Sequence, residues 1–300
     1  MANRIASTIK SYMMPIAMTA GIVSYQYVGQ LSFLTPYLII LMLFVTYCNI
    51  SFSDLRFSRL HLWLILIQLV ASIGVYLLLL PVHPLLAQGA MICILAPTAT
   101  SAPVIAGMLG GNVASLTTYT LLCNLVIVVA APIIFAFVGE VEASSFVASL
   151  WVVFQKVFLL LLTPFFAALL LKKLLPRVHS QIQKAKSVSF YLWSVALVII
   201  TGKTVQFITE QDSSNYIVEI GISVAALLIC ITQFATGRRL GRIYNDTVAG
   251  GQGLGQKNTI LAIWMAQTFL NPVSSIGPGT YVLWQNLVNS YQVWRNRKNL

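Results

Sequence analysis

The nine residues Gly250-Gly-Gln-Gly-Leu-Gly-Gln-Lys-Asn258 place an ammonium and three amides in glycine-rich backbone just before the apolar run Thr259-Ile-Leu-Ala-Ile-Trp-Met-Ala266. Where a chain crosses a bilayer, such sequence cannot form a continuous lipid-facing helix. Freed backbone groups in hydrocarbon need partners, so irregular backbone survives only inside protein or beside a water-filled cavity. An ammonium there is costly and marks a functional position by default. A second stretch, Ala96-Pro-Thr-Ala-Thr-Ser-Ala-Pro-Val104, sets Pro97 and Pro103 around the hydroxyls of Thr98, Thr100 and Ser101. Two prolines remove backbone donors and predict unwinding. The alternative is a kinked helix whose hydroxyls bond their own backbone. Gln68 sits among aliphatic residues and needs a partner, either on a neighbouring helix or in a site. Gln267, Thr268, Asn271 and Asn124 pose the same question more weakly. Amides, hydroxyls, freed backbone and one cation are the chemistry of ion or anion binding.

Catalytic sets do not assemble from the rest. The seven acids are scattered, so neither a carboxylate pair nor an acidic metal-phosphate cluster is expected, and no P-loop is present. Cys48, Cys93, Cys123 and Cys230 lie in apolar runs without metal-ligand spacing and are read as core residues. His61, His83 and His179 are scattered near segment ends and receive no role. No enzyme activity, cofactor or metal is expected. The first ten residues are polar and basic, and no cleavable leader is expected.

Composition says what must position these groups. Hydrophobic residues make up 58% of 300, charged residues 8%, and the mean hydropathy is +0.85. Soluble domains carry about 25% charged residues, so the class is an all-α polytopic membrane protein. Since about 20 helical residues span the hydrocarbon, ten spans are expected, at roughly 11–27, 32–51, 60–80, 86–106, 113–137, 149–171, 187–208, 215–236, 247–270 and 276–294. With the N-terminus inside, inner segments hold Arg4, Lys10, Arg56, Arg59, Lys172, Lys173, Arg177, Lys184, Lys186, Arg238, Arg239, Arg242, Arg295, Arg297 and Lys298, which is 15 of 18 basic residues. Outer loops hold Glu140, Glu142, Glu210 and Asp212 instead. The asymmetry predicts both termini on the cytoplasmic side. It also assigns the net charge of +11 to membrane topology rather than to nucleic acid. Lys156 and Lys203 lie near outer segment ends, within reach of the interface. Lys257 lies 11 residues past Asp246, about 16 Å along a helix and near the middle of a core about 30 Å thick.

Segments 4 and 9 hold the two interruptions and occupy the same place in two halves of five spans. An odd number of spans inverts one half against the other. Paired interrupted segments in inverted repeats point to the substrate site of a secondary transporter.

These residues resemble the bile acid/sodium symporter family, including its bacterial ten-helix members. Gly237-Arg-Arg-Leu-Gly241 followed by Gly255-Gln-Lys-Asn258 looks like the family's Gly-Arg-Xaa-Xaa-Gly turn and interrupted ninth helix. The Pro97 stretch resembles the broken fourth helix, and Gln68 matches a glutamine of the third. The resemblance implies a core domain (about 60–137 and 215–294) with crossing broken helices and a panel domain (about 11–51 and 149–208). It also implies alternating access for organic anions and a place in a bacterial inner membrane. The substrate would meet Pro97, Thr98, Thr100, Ser101, Pro103, Lys257, Asn258 and Gln267.

Departures from the family pattern fall at its sodium sites. Gly253 stands where a glutamate is typical, Lys257 where a glutamine is, Ala102-Pro103 where a serine-asparagine pair is, and Leu116 where a serine is. Gln68, Thr120 and Gln256 remain near the degenerate sites. The expectation is that the Lys257 ammonium replaces sodium and holds the carbonyls of both broken helices. Transport would then be sodium-independent, or proton-coupled should Lys257 titrate. The alternatives are a sodium-coupled symporter with an acid paired to Lys257, or a non-transporting receptor or channel on the same fold. Tyr12, Phe33, Tyr47 and Trp193 are candidate pocket aromatics; substrate and oligomeric state are left open.

Overall fold

The computed structural model describes residues 13, 15–50, 55–139, 145–184, 187–210 and 216–298. The expectations at Arg4, Lys10, Tyr12, Glu140, Glu142, Lys186 and Asp212 lie outside them. The chain is an all-α polytopic membrane protein. Helix α1 (15–23) leads into α2 (Tyr25–Val28), a 3₁₀ segment (Gly29–Leu34) and α3 (Thr35–Cys48). There follow α4 (Arg59–Leu79), α5 (Pro84–Leu95), α6 (Ala102–Met108), α7 (Val113–Val138), α8 (Phe146–Leu174), α9 (Pro176–Lys184) and α10 (Ser187–Glu210). The last third holds α11 (Tyr216–Ile243), α12 (Thr247–Gly255), α13 (Thr259–Phe269) and α14 (Ile276–Lys298).

Six stretches among the described residues are long and apolar enough to cross a membrane: Tyr25–Cys48, Arg59–Leu79, Val113–Val138, Phe146–Leu174, Val188–Glu210 and Tyr216–Ile243. Helices α5 and α13 are apolar but short, about 18 and 16 Å at 1.5 Å per residue, little more than half the hydrocarbon thickness. They are the long halves of the segments expected at 86–106 and 247–270. Each of those segments is interrupted, at 96–101 and at 256–258.

One compact unit comprises Met1–Asn49 and Thr163–Ser214, and a second comprises Ile50–Leu162 and Asn215–Leu300. Helix α8 contributes to both, dividing beside its internal Pro164. In the first unit α10 packs along α2, the 3₁₀ segment and α3. There Tyr47 meets Phe165 edge-on at 5.5 Å, and Gln183 Nε2 ties α9 to the Cys48 carbonyl at 2.8 Å. The second unit holds both interrupted segments. Its core gathers Cys93, Ala226, Cys230, Phe234 and Tyr281 from α5, α11 and α14.

Gly237 to Gly241, expected as a turn, lies inside α11, which continues to Ile243. The reason is packing. Gly237 and Gly241 are four residues apart on one helix face, and a Cβ on Gly250 of α12 would overlap the Gly237 carbonyl oxygen and approach Gly241 Cα to 2.8 Å. These glycines let two backbones touch, as small residues do between membrane helices. The actual turn is Tyr244–Asp246, where Asn245 takes a left-handed conformation (φ 56°), which asparagine tolerates better than most residues.

Candidate functional site

Pro84 at the first turn and the His83 cap, whose Nδ1 accepts from Leu85 N at 3.2 Å, start α5. Pro97 stops it. Without an N–H it cannot continue the ladder, and it forces Ala96 into extended backbone (ψ 136°). The carbonyls of residues 93–96 then lose their helical partners, and each is met by a side chain. Gln233 Nε2 of α11 donates to Cys93 O at 3.3 Å, and Lys257 Nζ donates to Ile94 O at 2.8 Å. Gln68 Nε2 of α4 covers Leu95 O at 2.8 Å and Ala96 O at 3.0 Å. Three elements thus close one helix end.

Lys257 is 1% exposed and has no carboxylate partner among the described residues. Its ammonium lies at the C-terminal end of α5, where the helix macrodipole favours a positive charge. The expected clamp on both broken helices is therefore refined: Nζ holds the first break, and the backbone of Lys257 serves the second. Lys257 N donates to Gln285 Oε1 at 2.9 Å, and Gln285 Nε2 donates to Lys257 O at 3.3 Å.

The two unwound segments pair with each other. Thr98 and Lys257 form an antiparallel bridge, in which Ala99 N donates to Gln256 O and Asn258 N to Pro97 O, both at 2.8 Å. Thr98 Oγ1 donates to Gly253 O at 2.7 Å, and Tyr281 Oη donates to Gly255 O at 2.9 Å. Asn258 Oδ1 accepts from Leu261 N at 3.2 Å and starts α13. Each break supplies donors for the other, which is how irregular backbone survives at membrane depth.

Tyr119 of α7 fills the space beside Gly253. A Cβ there would stand 3.0 Å from the Tyr119 ring and 3.2 Å from Leu64. Tyr119 is fully buried and donates its hydroxyl to Gln68 Oε1 at 3.1 Å. The phenol is thus joined to the Gln68 amide, and that amide and the Lys257 ammonium donate to successive carbonyls of the first break.

The remaining candidates divide. Thr98 is buried, Thr100 and Pro103 are half-buried, and Ser101 is exposed. Ala102 opens α6 and is buried, as is Leu116 of α7. Thr120 Oγ1 donates to Leu116 O on its own helix at 2.8 Å. Gln256 Nε2 reaches Ser101 Oγ at 3.4 Å. Gln267 is half-buried more than two turns into α13, away from the break. Outside the crossing, Lys156 Nζ lies 5.8 Å from the Phe269 ring centre, and Lys203 Nζ donates to Gln206 Oε1 at 3.1 Å. Phe33 is exposed, and Trp193 is half-buried beside Phe190.

Sequence reasoning missed Tyr119, Gln233, Gln252, Tyr281, Gln285 and Asn289. For α14 a signal existed. Gln285, Asn289 and Gln292 recur at spacings of four and three, which sets amides on one helix face. That polar face keeps α14 out of the apolar set above, although 276–294 was expected as a span.

Residues 36–211 match the model of the Sodium Bile acid symporter family. The match takes in α5, its break and α7, and ends before α12 and Lys257. No curated protein shows significant similarity to the chain.

Proposed function

Because the chain belongs to the sodium bile acid symporter family and is a membrane transporter, we propose that it moves organic anions without sodium, by alternating access. The substrates are bile-acid-like molecules or small carboxylates and sulfonates. The observation that carries this reading is the buried Lys257 ammonium, donated to Ile94 O at the end of α5. A tethered cation does there what a bound sodium ion would do for freed carbonyls, and no gradient is needed to keep it in place. A sodium ion about 4 Å from that ammonium would meet roughly 4 kcal/mol of repulsion at an effective dielectric of 20. That weakens binding about a thousandfold. Tyr119 against Gly253 supports the same reading, since it leaves little room for an acidic side chain at 253.

The two units are the candidates for panel and core, moving against each other across ten spans arranged as inverted five-span halves. The protein would lie in a bacterial inner membrane, with both termini cytoplasmic. The substrate would meet the exposed side of the breaks at Thr100, Ser101, Pro103 and Asn258.

Uptake of labelled taurocholate into proteoliposomes tests this, with sodium exchanged for choline outside and inside. The expected ratio of initial rates is close to one. A tenfold or greater stimulation by a sodium gradient overturns the replacement of sodium, and stimulation by an imposed proton gradient assigns the coupling to protons. Binding without flux identifies a receptor, and ionic current identifies a channel.

A further inference from the structure

A line of amides runs from α14 to the rim of the first break. Gln252 Nε2 donates to Asn289 Oδ1 at 2.9 Å and to Gln292 Oε1 at 3.3 Å. Asn289 Nδ2 donates to Gln256 Oε1, and Gln256 Nε2 donates to Ser101 Oγ at 3.4 Å. Gln252, Asn289 and Gln256 are buried, with exposures of 1%, 6% and 3%, while Ser101 is exposed. Each amide accepts on its oxygen and donates from its nitrogen, so the direction of the first bond sets the direction of the last.

Gln252 fixes that direction. Its Oε1 is buried and has no hydrogen-bond partner among the described residues. Reversing the line would set an amide nitrogen with two protons at that dead end, and buried orphan donors are rarer than under-satisfied oxygens. At the other end, Ser101 Oγ accepts a hydrogen bond from Gln256 Nε2. Its own proton has no acceptor among the described residues. The hydroxyl is therefore committed to donating toward whatever occupies the exposed side of the break.

We propose that Gln252, Asn289 and Gln256 are positioning residues that hold Ser101 as a dedicated hydroxyl donor to the oxyanion of the substrate, a carboxylate or sulfonate. The inference rests on the organic-anion reading above and deepens it. A hydrogen bond to a charged acceptor is worth roughly 1.4 kcal/mol more than one to a neutral acceptor, which is about tenfold in affinity. The relay therefore favours an anion over its uncharged amide.

The test uses the full chain in proteoliposomes with cholate as the probe and its uncharged primary amide as the comparison. Ser101→Ala should raise KM for cholate about tenfold with kcat nearly unchanged, and should change KM for the amide less. Asn289→Asp removes the donor to Gln256, so the Gln256 amide turns to donate to the new carboxylate and presents its oxygen to Ser101. The Ser101 proton then points inward, and KM should rise about as much as in Ser101→Ala. Asn289→Leu breaks the line without reversing it and should raise KM only a few-fold. In the Ser101→Ala background, Asn289→Asp should change KM less than twofold, because the two act through one donor. Multiplicative effects in that double variant, or a KM for Asn289→Asp within twofold of the parent, overturn the relay. A merely structural role for Asn289 would lower the amount of folded protein or kcat without separating the acid from its amide. Should the parent bind cholate without carrying it, transport fails as a reading, and the same cycle run on Kd still decides the relay. A parent that neither binds nor carries cholate or taurocholate overturns both.

Discussion

Replacing Gln68 with leucine strands three buried polar groups at nearly constant volume. Two are the carbonyls of Leu95 and Ala96, which lose the Nε2 donor held at 2.8 and 3.0 Å. The third is the Tyr119 hydroxyl, fully buried, which loses its acceptor at 3.1 Å. A buried polar group left without a partner costs about 1–3 kcal/mol, so the single change should destabilise by roughly 3–9 kcal/mol. Tyr119→Phe alone removes one hydrogen bond and strands only an amide oxygen that Cys123 still approaches at 3.5 Å. It should cost about 1 kcal/mol. The two together should be more stable than Gln68→Leu by itself, because the phenylalanine has no hydroxyl to strand. Thermal unfolding in detergent, followed by a thiol-reactive dye, reads this directly, since Cys48, Cys93, Cys123 and Cys230 are free and buried. At about 2 °C per kcal/mol for a chain of this size, Gln68→Leu should lower the Tm by at least about 6 °C. Adding Tyr119→Phe should restore about 2–6 °C of that loss. If the second substitution lowers the Tm further, the phenol is not held by Gln68 and the account of how side chains close the end of α5 is wrong.

Three further outcomes follow from the same geometry. Gly250→Ala should prevent close packing of α11 on α12 and sharply reduce monodisperse protein on size exclusion, whereas Gly74→Ala, with nothing within 4 Å of its new Cβ, should raise the Tm slightly through a gain of about 0.5–1 kcal/mol. Lys257→Met loses one charge-assisted bond of about 1.5–3 kcal/mol but relieves several kcal/mol of ammonium desolvation; its Tm should stay within about 4 °C of the parent while anion uptake falls at least tenfold. Lys257→Gln with Gly253→Glu should remain indifferent to sodium in uptake assays until Tyr119→Ala is added, because the ring fills the space beside residue 253.

What the sequence made legible follows from where the information is local. The break at Pro97 was readable because proline acts on its own backbone. The second break is narrower than the expected Gly250 to Asn258: Gly250 to Gly255 stay helical in α12, packed against α11, and only 256–258 unwind. Lys257 was readable because one charge in an apolar run has few explanations. The position of its Nζ was not, since Ile94 lies 163 residues earlier in the chain and no pattern in either segment encodes the pairing. Gly237 to Gly241 misled for a related reason. Glycines spaced by four serve a turn or a close helix contact equally well, and only the presence of Gly250 opposite decides. Tyr119 went unseen because an aromatic residue in an apolar helix carries no polar signal until its hydroxyl finds Gln68.

The bridge between Thr98 and Lys257 also sets a timetable for making the protein. The carbonyls of residues 93–96 receive donors from Gln68, Gln233 and Lys257, and the last of these is made 159 residues after Thr98. At roughly 5–20 residues per second, the first break waits about 8–32 s for its lysine after it has been synthesised. Until then the Ile94 carbonyl must be shielded by water or by the insertion machinery, since Pro97 prevents a continuous helix and hydrocarbon offers the carbonyl nothing. The crossing is therefore among the last features of the molecule to form. Truncations that end before Asn258 should be recognised as unfinished by membrane quality control, even when most of their spans have been inserted.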